Sequence, residues 1–539
     1  MKNIFLFLFL VSSFYGFSQQ DAWVYFNAKP DFQTYYDTPT LMLSQRALDR
    51  RANQGISIDF KDVPIYQPYV DQIIASSGIT VKAKSKWLNC VHVRGLKTDI
   101  DALKLKTFVA SIDFADHSLN SAKRTTTNVK PILKPVNKTL KTAINYNYGS
   151  SANQIQMLNG HLLHQSNYTG TGIVIAVLDA GFPGVNTALP FQNLINNNQI
   201  LGGYDFVNKS NNFFTGDSHG TLVLSTMGGF KDGQLVGTAP GAKYYLFITE
   251  DVATENPVEE SNWVEAAEEA DRVGADIITS SLGYFGYDNL AYSHTYSDMT
   301  GDSNFASKGA NIAYSRGMIC VASAGNEGQN VEPHIGVPAE ALNVLAIGAV
   351  KADRTYALFS SIGPSFDGRV KPDVTAQGQT VVLSDPSGNI GTASGTSFSC
   401  PITAGMIACL WQALPTKTNA QIKQLITQSA DRFSLPTVQY GYGIPDFSLA
   451  LANGLAVTQF SKSDFLVYPN PTFDSISVTF PEGFTAGTVS LYSVLGQKVL
   501  EAKVIKQSPV ISIKSLNKGT YLYKIESNGT SQSGKIIKQ

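Results

Sequence analysis

Hydrophobic positions fall into three regimes along the chain. Between about residues 146 and 455 they form continuous runs, at Ile173–Leu178, Tyr244–Ile248, Asp276–Thr279, Met318–Ala322 and Val344–Ala349. Such a run has no polar face, so it predicts a strand covered on both sides. Between two of these runs, Pro257–Val273 places Val264, Ala267 and Ala270 at helical spacing, with Glu259, Glu260, Glu265 and Glu269 on other faces. Asn304–Arg316 predicts a second, weaker helix. Strands alternating with helices imply right-handed crossovers and an α/β domain built on a doubly wound parallel sheet.

The flanks differ. Residues 19–120 mix strand-like runs (Trp23–Phe26, Ile79–Ala83, Cys90–Val93) with helical stretches at Leu43–Asn53 and Tyr69–Ala75, which predicts a small α+β domain. Beyond residue 463, alternation at Ile476–Phe480, Val510–Ile513 and Tyr521–Ile525, broken by Gly, Pro and Asn turns, predicts a small β-sandwich. Residues 1–18 combine Lys2, an apolar run from Ile4 to Val11 and small residues up to Ser18. That is the make-up of a signal peptide, and the run is too short to span a bilayer. Residues 123–142 carry six basic side chains, no acidic one and two prolines, so 123–145 reads as an exposed basic linker and processing site. The expected divisions are 1–18, 19–122, 123–145, 146–455 and 463–539.

Composition narrows the classes. With 41 basic and 42 acidic side chains in 539 residues, bulk charge draws the chain to neither nucleic acid nor an acidic membrane. At 15% charged and 43% hydrophobic it is too apolar for a disordered chain. No later run reaches the ~18 apolar residues of a spanning helix. The four cysteines, Cys90, Cys320, Cys400 and Cys409, form no CxxC pair, so neither a disulfide-dense scaffold nor a zinc site is expected. A Cys320–Cys400 bridge stays open.

Parallel sheets bind ligands outside the carboxyl ends of their strands. Three such places carry chemistry: Asp179 directly after Leu178, His219 in Gly216–Thr221, and Ser397 in Ala393–Pro401 ahead of an apolar helical stretch. Asn326 closes Ala322–Asn326 at the same edge. Each alone is ordinary, since Asp after a strand is commonly a cap and Gly-Thr-Ser before a helix is a common N-cap. Other candidates are weaker. His161 and His164 stand at metal-ligand spacing but read as a helix surface, Asp298, Asp302 and Asn304 lack a calcium-loop spacing, and Cys400 is placed to face away from the Ser397 position.

The combination is specific. Asp179, His219 and Ser397 follow the chain order of one serine-protease architecture, within Val177–Gly181, His219–Thr221, Ser280–Gly283, Ser323–Asn326, Lys371–Asp373 and Gly395–Ser397 with Pro401. From about residue 150 to 455 the chain therefore resembles the subtilisin-like (subtilase) serine peptidases. The resemblance implies Ser397 as nucleophile, His219 as base, Asp179 as its orienting carboxylate, Asn326 as oxyanion donor, and Ser281, Leu282 and Gly283 along the substrate groove. It implies no metal and no cofactor in catalysis, with a structural calcium unsupported. Leu222 stands where the family commonly has a second His, Ala180 where it has Thr or Ser, and Phe398-Ser399-Cys400 where it has Met-Ala-Ala. Residues 19–122 resemble subtilase propeptides. The last 75 or so residues, with Tyr468-Pro-Asn-Pro471 and Gly534–Gln539, resemble the C-terminal sorting domain of type IX secretion in Bacteroidota. Together these imply a secreted or cell-surface endopeptidase made as a zymogen, with peptide substrates and the outer-membrane export machinery as partners. The rival reading is a catalytically silent subtilase-fold adhesin, against which the intact triad and Asn326 argue.

Overall fold

The structure, a computed structural model, describes residues 19–120, 145–455, 465–480, 484–493, 496–527 and 530–539. The expected signal peptide and all but the last residue of the basic linker lie outside them. Residues up to 455 form one compact unit and the remainder a second.

The centre of the first unit is a seven-stranded sheet in the order Val374–Gln377, Leu345–Val350, Ile319–Ser323, Ile277–Ser280, Val174–Asp179, Lys243–Ile248, Ile200–Asp205. All its pairings are parallel. The five expected runs are its five inner strands. Alternate side chains serve opposite layers. Ile175, Val177, Leu246, Ile277 and Ile319 pack on the helices His219–Gly228 and Thr396–Ala413. Val174, Ala176, Leu178, Phe247 and Ile278 pack on Val258–Val273 and Phe305–Ser315. The two edge strands were not expected: Ile200–Asp205 is half-exposed and interrupted by Gly202 and Gly203, and Val374–Gln377 has only four residues. Thr396–Ala413 is apolar all round and accordingly buried on every side.

Residues 19–120 form a four-stranded antiparallel sheet in the order Ile79–Ser85, Cys90–Gly95, Gln20–Phe26, Val109–Phe114. One face covers the segment's own core around Val24, Ile73, Val91 and Phe114. The other carries Trp23, Trp87 and Cys90 into the helix layer of the central sheet, where Trp23 stacks on Phe305 at 4.8 Å. Polar anchors frame this contact. The Trp23 indole donates to Ser261 at 2.8 Å. The buried Glu268 carboxylate accepts from Ser85 Oγ (2.6 Å), Trp87 N (2.9 Å) and Lys86 N (3.0 Å). Arg51 bridges Asp62 at 2.7 Å and Asp271 at 2.6 Å, and Arg50 pairs with Asp271 as well.

The second unit is a sandwich of a three-stranded sheet (Leu466–Tyr468, Ser475–Thr479, Val510–Ser512) and a four-stranded one (Ala486–Ser493, Lys498–Ile505, Gly519–Ser527, Thr530–Lys538). Ile476, Val478 and Ile511 from the first interlock with Val489, Val504, Ile525 and Ile536 from the second. The alternation seen in the sequence is the inward-facing set.

Glu268→Ala leaves two backbone N–H groups and a hydroxyl without their acceptor. The expected cost is about 2–4 kcal/mol. It is read as a lower urea midpoint at constant m; an unchanged midpoint would show that the carboxylate does not hold the N-terminal sheet.

Candidate active site

Asp179 is the last residue of the strand Val174–Asp179 and is fully buried. A buried carboxylate needs donors. Its Oδ1 receives the Ala180 N–H at 2.8 Å and His219 Nδ1 at 2.7 Å. Its Oδ2 is buried with no protein partner, beside an alanine that offers no hydroxyl. Two glycines allow the close approach of the helix mouth. A Cβ on Gly181 would lie 2.4 Å from the Asp217 nitrogen, and one on Gly220 would lie 2.9 Å from Asp179 Cβ. His219 opens its helix, its own N–H held by Asp217 Oδ1 at 2.8 Å. The Asp179 charge raises the His219 pKa above its ordinary value and outweighs the burial that would lower it.

Ser397 stands in the first turn of Thr396–Ala413, where backbone N–H groups lack intrahelical acceptors. Four residues on, Pro401 has no N–H to give the Ser397 carbonyl. The Ser281 hydroxyl donates to that carbonyl instead, at 2.8 Å, and the Ser397 hydroxyl lies 3.4 Å from the Ser281 carbonyl. Ser281, the residue directly after the strand Ile277–Ser280, is thereby tied to Ser397 through two contacts. The His219 ring lies 6.0 Å from that of Phe398, next to Ser397. Among the described residues no His219–Ser397 hydrogen bond is formed; such bonds commonly tighten only when substrate is bound.

Asn326 is exposed, and its Oδ1 accepts from Thr396 N (2.9 Å) and Thr396 Oγ1 (3.1 Å). With the oxygen fixed, Nδ2 is left as the free donor. Asn326, Ser397, Ser281, Leu282 and Gly283 all line one cleft of about 130 Å³. The seven residues that the resemblance assigns to the site, Asp179, His219, Ser397, Asn326, Ser281, Leu282 and Gly283, thus stand at the carboxyl rim of the sheet.

Sequence reasoning missed several neighbours. Thr396 orients Asn326, although it lies inside the Gly-Thr-Ser motif. Glu250 follows Lys243–Ile248 at the same rim; it accepts from Tyr284 OH at 2.8 Å, and burial raises its pKa to about 7. Glu327, Glu332 and His334 line the cleft. Other candidates resolve otherwise. His164 is buried rather than on a helix surface, its two ring nitrogens bonded to Tyr148 OH and the Thr238 carbonyl. The four cysteines are separate buried thiols, and burial pushes Cys400 up to about 12, which suits a packing residue and not a nucleophile. Asp373 braces the strand edge through Ala346 N (2.9 Å) and Lys371 (2.8 Å).

Residues 170–444, just over half of the chain, match the subtilase family model. The chain belongs to the subtilase family. Residues 21–131 match the peptidase S8 propeptide domain of Bacteroidota, and residues 466–539 the secretion system C-terminal sorting domain. Subtilisin NAT of Bacillus subtilis subsp. natto is 29% identical over 294 residues, 54% of this chain and 68% of its own length. Subtilisin of Bacillus pumilus is likewise 29% identical, over 54% of this chain and 94% of its own. Alkaline elastase YaB of Bacillus sp. is 25% identical over 73% of this chain and 90% of its own. This subtilase is therefore a peptidase-family protein with a type IX sorting tail, which marks it for secretion or the cell surface. Among the described residues no helix is long and apolar enough to cross a membrane.

In this subtilase the His219 imidazole is expected to titrate above the ordinary histidine value of about 6.5. Its proton is lost only as pH rises through that raised value. Asp179→Asn removes the first cause and leaves burial, so the midpoint should fall. Ring-proton NMR of the two forms measures both; equal midpoints would contradict the assignment of cause.

Proposed function

We propose that the protein is a secreted serine endopeptidase made as a zymogen, with Asp179, His219 and Ser397 as its triad and Asn326 as oxyanion donor. The observation that carries this reading is the hydrogen bond at 2.7 Å between the buried Asp179 and the partly exposed His219, at the rim where Ser397 stands in the first turn of its helix. A serine hydroxyl is a poor nucleophile until a neighbouring base takes its proton. His219, oriented through Nδ1, presents Nε2 for that purpose. As the Ser397 Oγ–carbon bond forms, the proton passes to Nε2, and negative charge moves to the former carbonyl oxygen. The Asn326 amide and the Ser397 N–H meet that oxygen. His219 then protonates the amine as the C–N bond breaks, leaving an acyl-serine. Water repeats the sequence and releases the carboxylic acid, with Ser397 restored. Asp179 stabilises the imidazolium throughout.

Residues 281–283, which continue from the strand Ile277–Ser280 along the cleft and are tied to Ser397 through Ser281, would pair with an extended substrate. The N-terminal segment would act as a propeptide, docked through Glu268, Arg50 and Arg51 and released by cutting the basic linker. The C-terminal sandwich would be read by the outer-membrane export machinery.

Ser397→Ala is expected to abolish casein hydrolysis and to leave the chain uncut between residues 123 and 148; casein cleavage at the unmodified rate would discard the mechanism. Asn326→Ala is expected to lower kcat by about 10²–10³ with KM little changed; steady-state kinetics showing an intact kcat would remove Asn326 from the oxyanion site. Deleting residues 463–539 is expected to hold the protein in the periplasm, and cell fractionation finding it outside would refute the sorting role.

A further inference from the structure

The cleft beside Ser397 is lined by acidic side chains and by no permanently cationic one. Two carboxylates, Glu327 and Glu332, line it, with no lysine or arginine. The Glu327 side chain is held by a neutral group: Ser361 Oγ donates to its Oε2 at 2.7 Å and accepts the Glu327 N–H at 3.0 Å. Ser361 is fully buried, so this carboxylate is fixed in place. Among the described residues the hydrogen bonds of Glu332 come from His334, through the ring Nδ1 and the backbone N–H. His334 is itself anchored. Its ring stacks on Tyr296 at 3.9 Å, and its backbone bridges Ile362 while Val337 bridges Tyr284. Among the described residues neither carboxylate has a lysine or arginine partner.

The catalytic reading above, on which this inference rests, places the attacked carbonyl between Ser397 Oγ and the Asn326 amide. The side chain of that residue leaves from the adjoining carbon and enters the same cleft. A space of about 130 Å³ admits one side chain. Its walls include Leu282 and Phe285, which suit a methylene stem, and its charged groups suit a cationic head. We propose that the cleft selects lysine or arginine at the residue whose carbonyl is attacked, with Glu332 as the principal determinant and Glu327 in support.

The test is a set of internally quenched peptides that differ only at that position, assayed with the secreted, processed enzyme. The expected kcat/KM for lysine or arginine exceeds that for phenylalanine or leucine by about tenfold or more, the size of one charge-assisted hydrogen bond. Glu332→Gln should lower this ratio by about tenfold. Glu332→Lys should shift the preference towards aspartate or glutamate, a gain that misfolding cannot produce. Ser397-dependent cleavage with an apolar preference, or ratios untouched by both variants, would overturn the inference and leave the protease reading standing. Absence of Ser397-dependent cleavage of every peptide would overturn the protease reading and this inference with it.

Discussion

A carboxylate with no solvent exposure, at the carboxyl end of a central strand, is the constraint around which the site is arranged. Burying Asp179 without donors would be costly. Its two donors are the next backbone N–H and the His219 ring, so the cost of burial becomes a force that fixes the imidazole. The same contact raises the proton affinity of His219. Gly181 and Gly220 serve it by letting the helix mouth approach the strand, and Asp217 serves it by holding the His219 backbone. Its Oδ2 is buried without a partner among the described residues, beside Ala180, which supplies no hydroxyl.

The second half of the site depends on a helix that begins imperfectly. Pro401 deletes one helical hydrogen bond, and the carbonyl so released is that of Ser397 itself. Ser281 occupies it, and the Ser397 hydroxyl faces back to the Ser281 carbonyl. The strand end beside the cleft and the serine at the helix mouth are therefore one hydrogen-bonded piece. Thr396 does the same for Asn326 by fixing its oxygen and leaving its amide free. The geometry comes from rigid elements, with loops adding the carboxyl groups of Glu327, Glu332 and Glu250.

Much of this was legible in the sequence, for identifiable reasons. The inner strands are apolar on consecutive residues because both faces are covered, and that pattern is hard to mistake. The edge strands Ile200–Asp205 and Val374–Gln377 are short or half-exposed and carry glycine, threonine or glutamine, so no periodicity betrays them. Asp179, His219, Ser397 and Asn326 stood out because each sits in a short motif after a strand or before a helix. Thr396 on Asn326, Ser281 on Ser397 and Ser361 on Glu327 were invisible, because each joins segments 34–116 residues apart in the chain. His164 was misread as a surface residue because its burial depends on Tyr148 and Thr238, from two other segments.

The central claim is that Asp179, His219 and Ser397 act as one unit. Its most direct test is labelling the processed protein with a fluorophosphonate and mapping the modified peptide. The account predicts stoichiometric modification of Ser397 that His219→Ala removes. Labelling at another residue, or labelling of Ser397 that persists without His219, would contradict it.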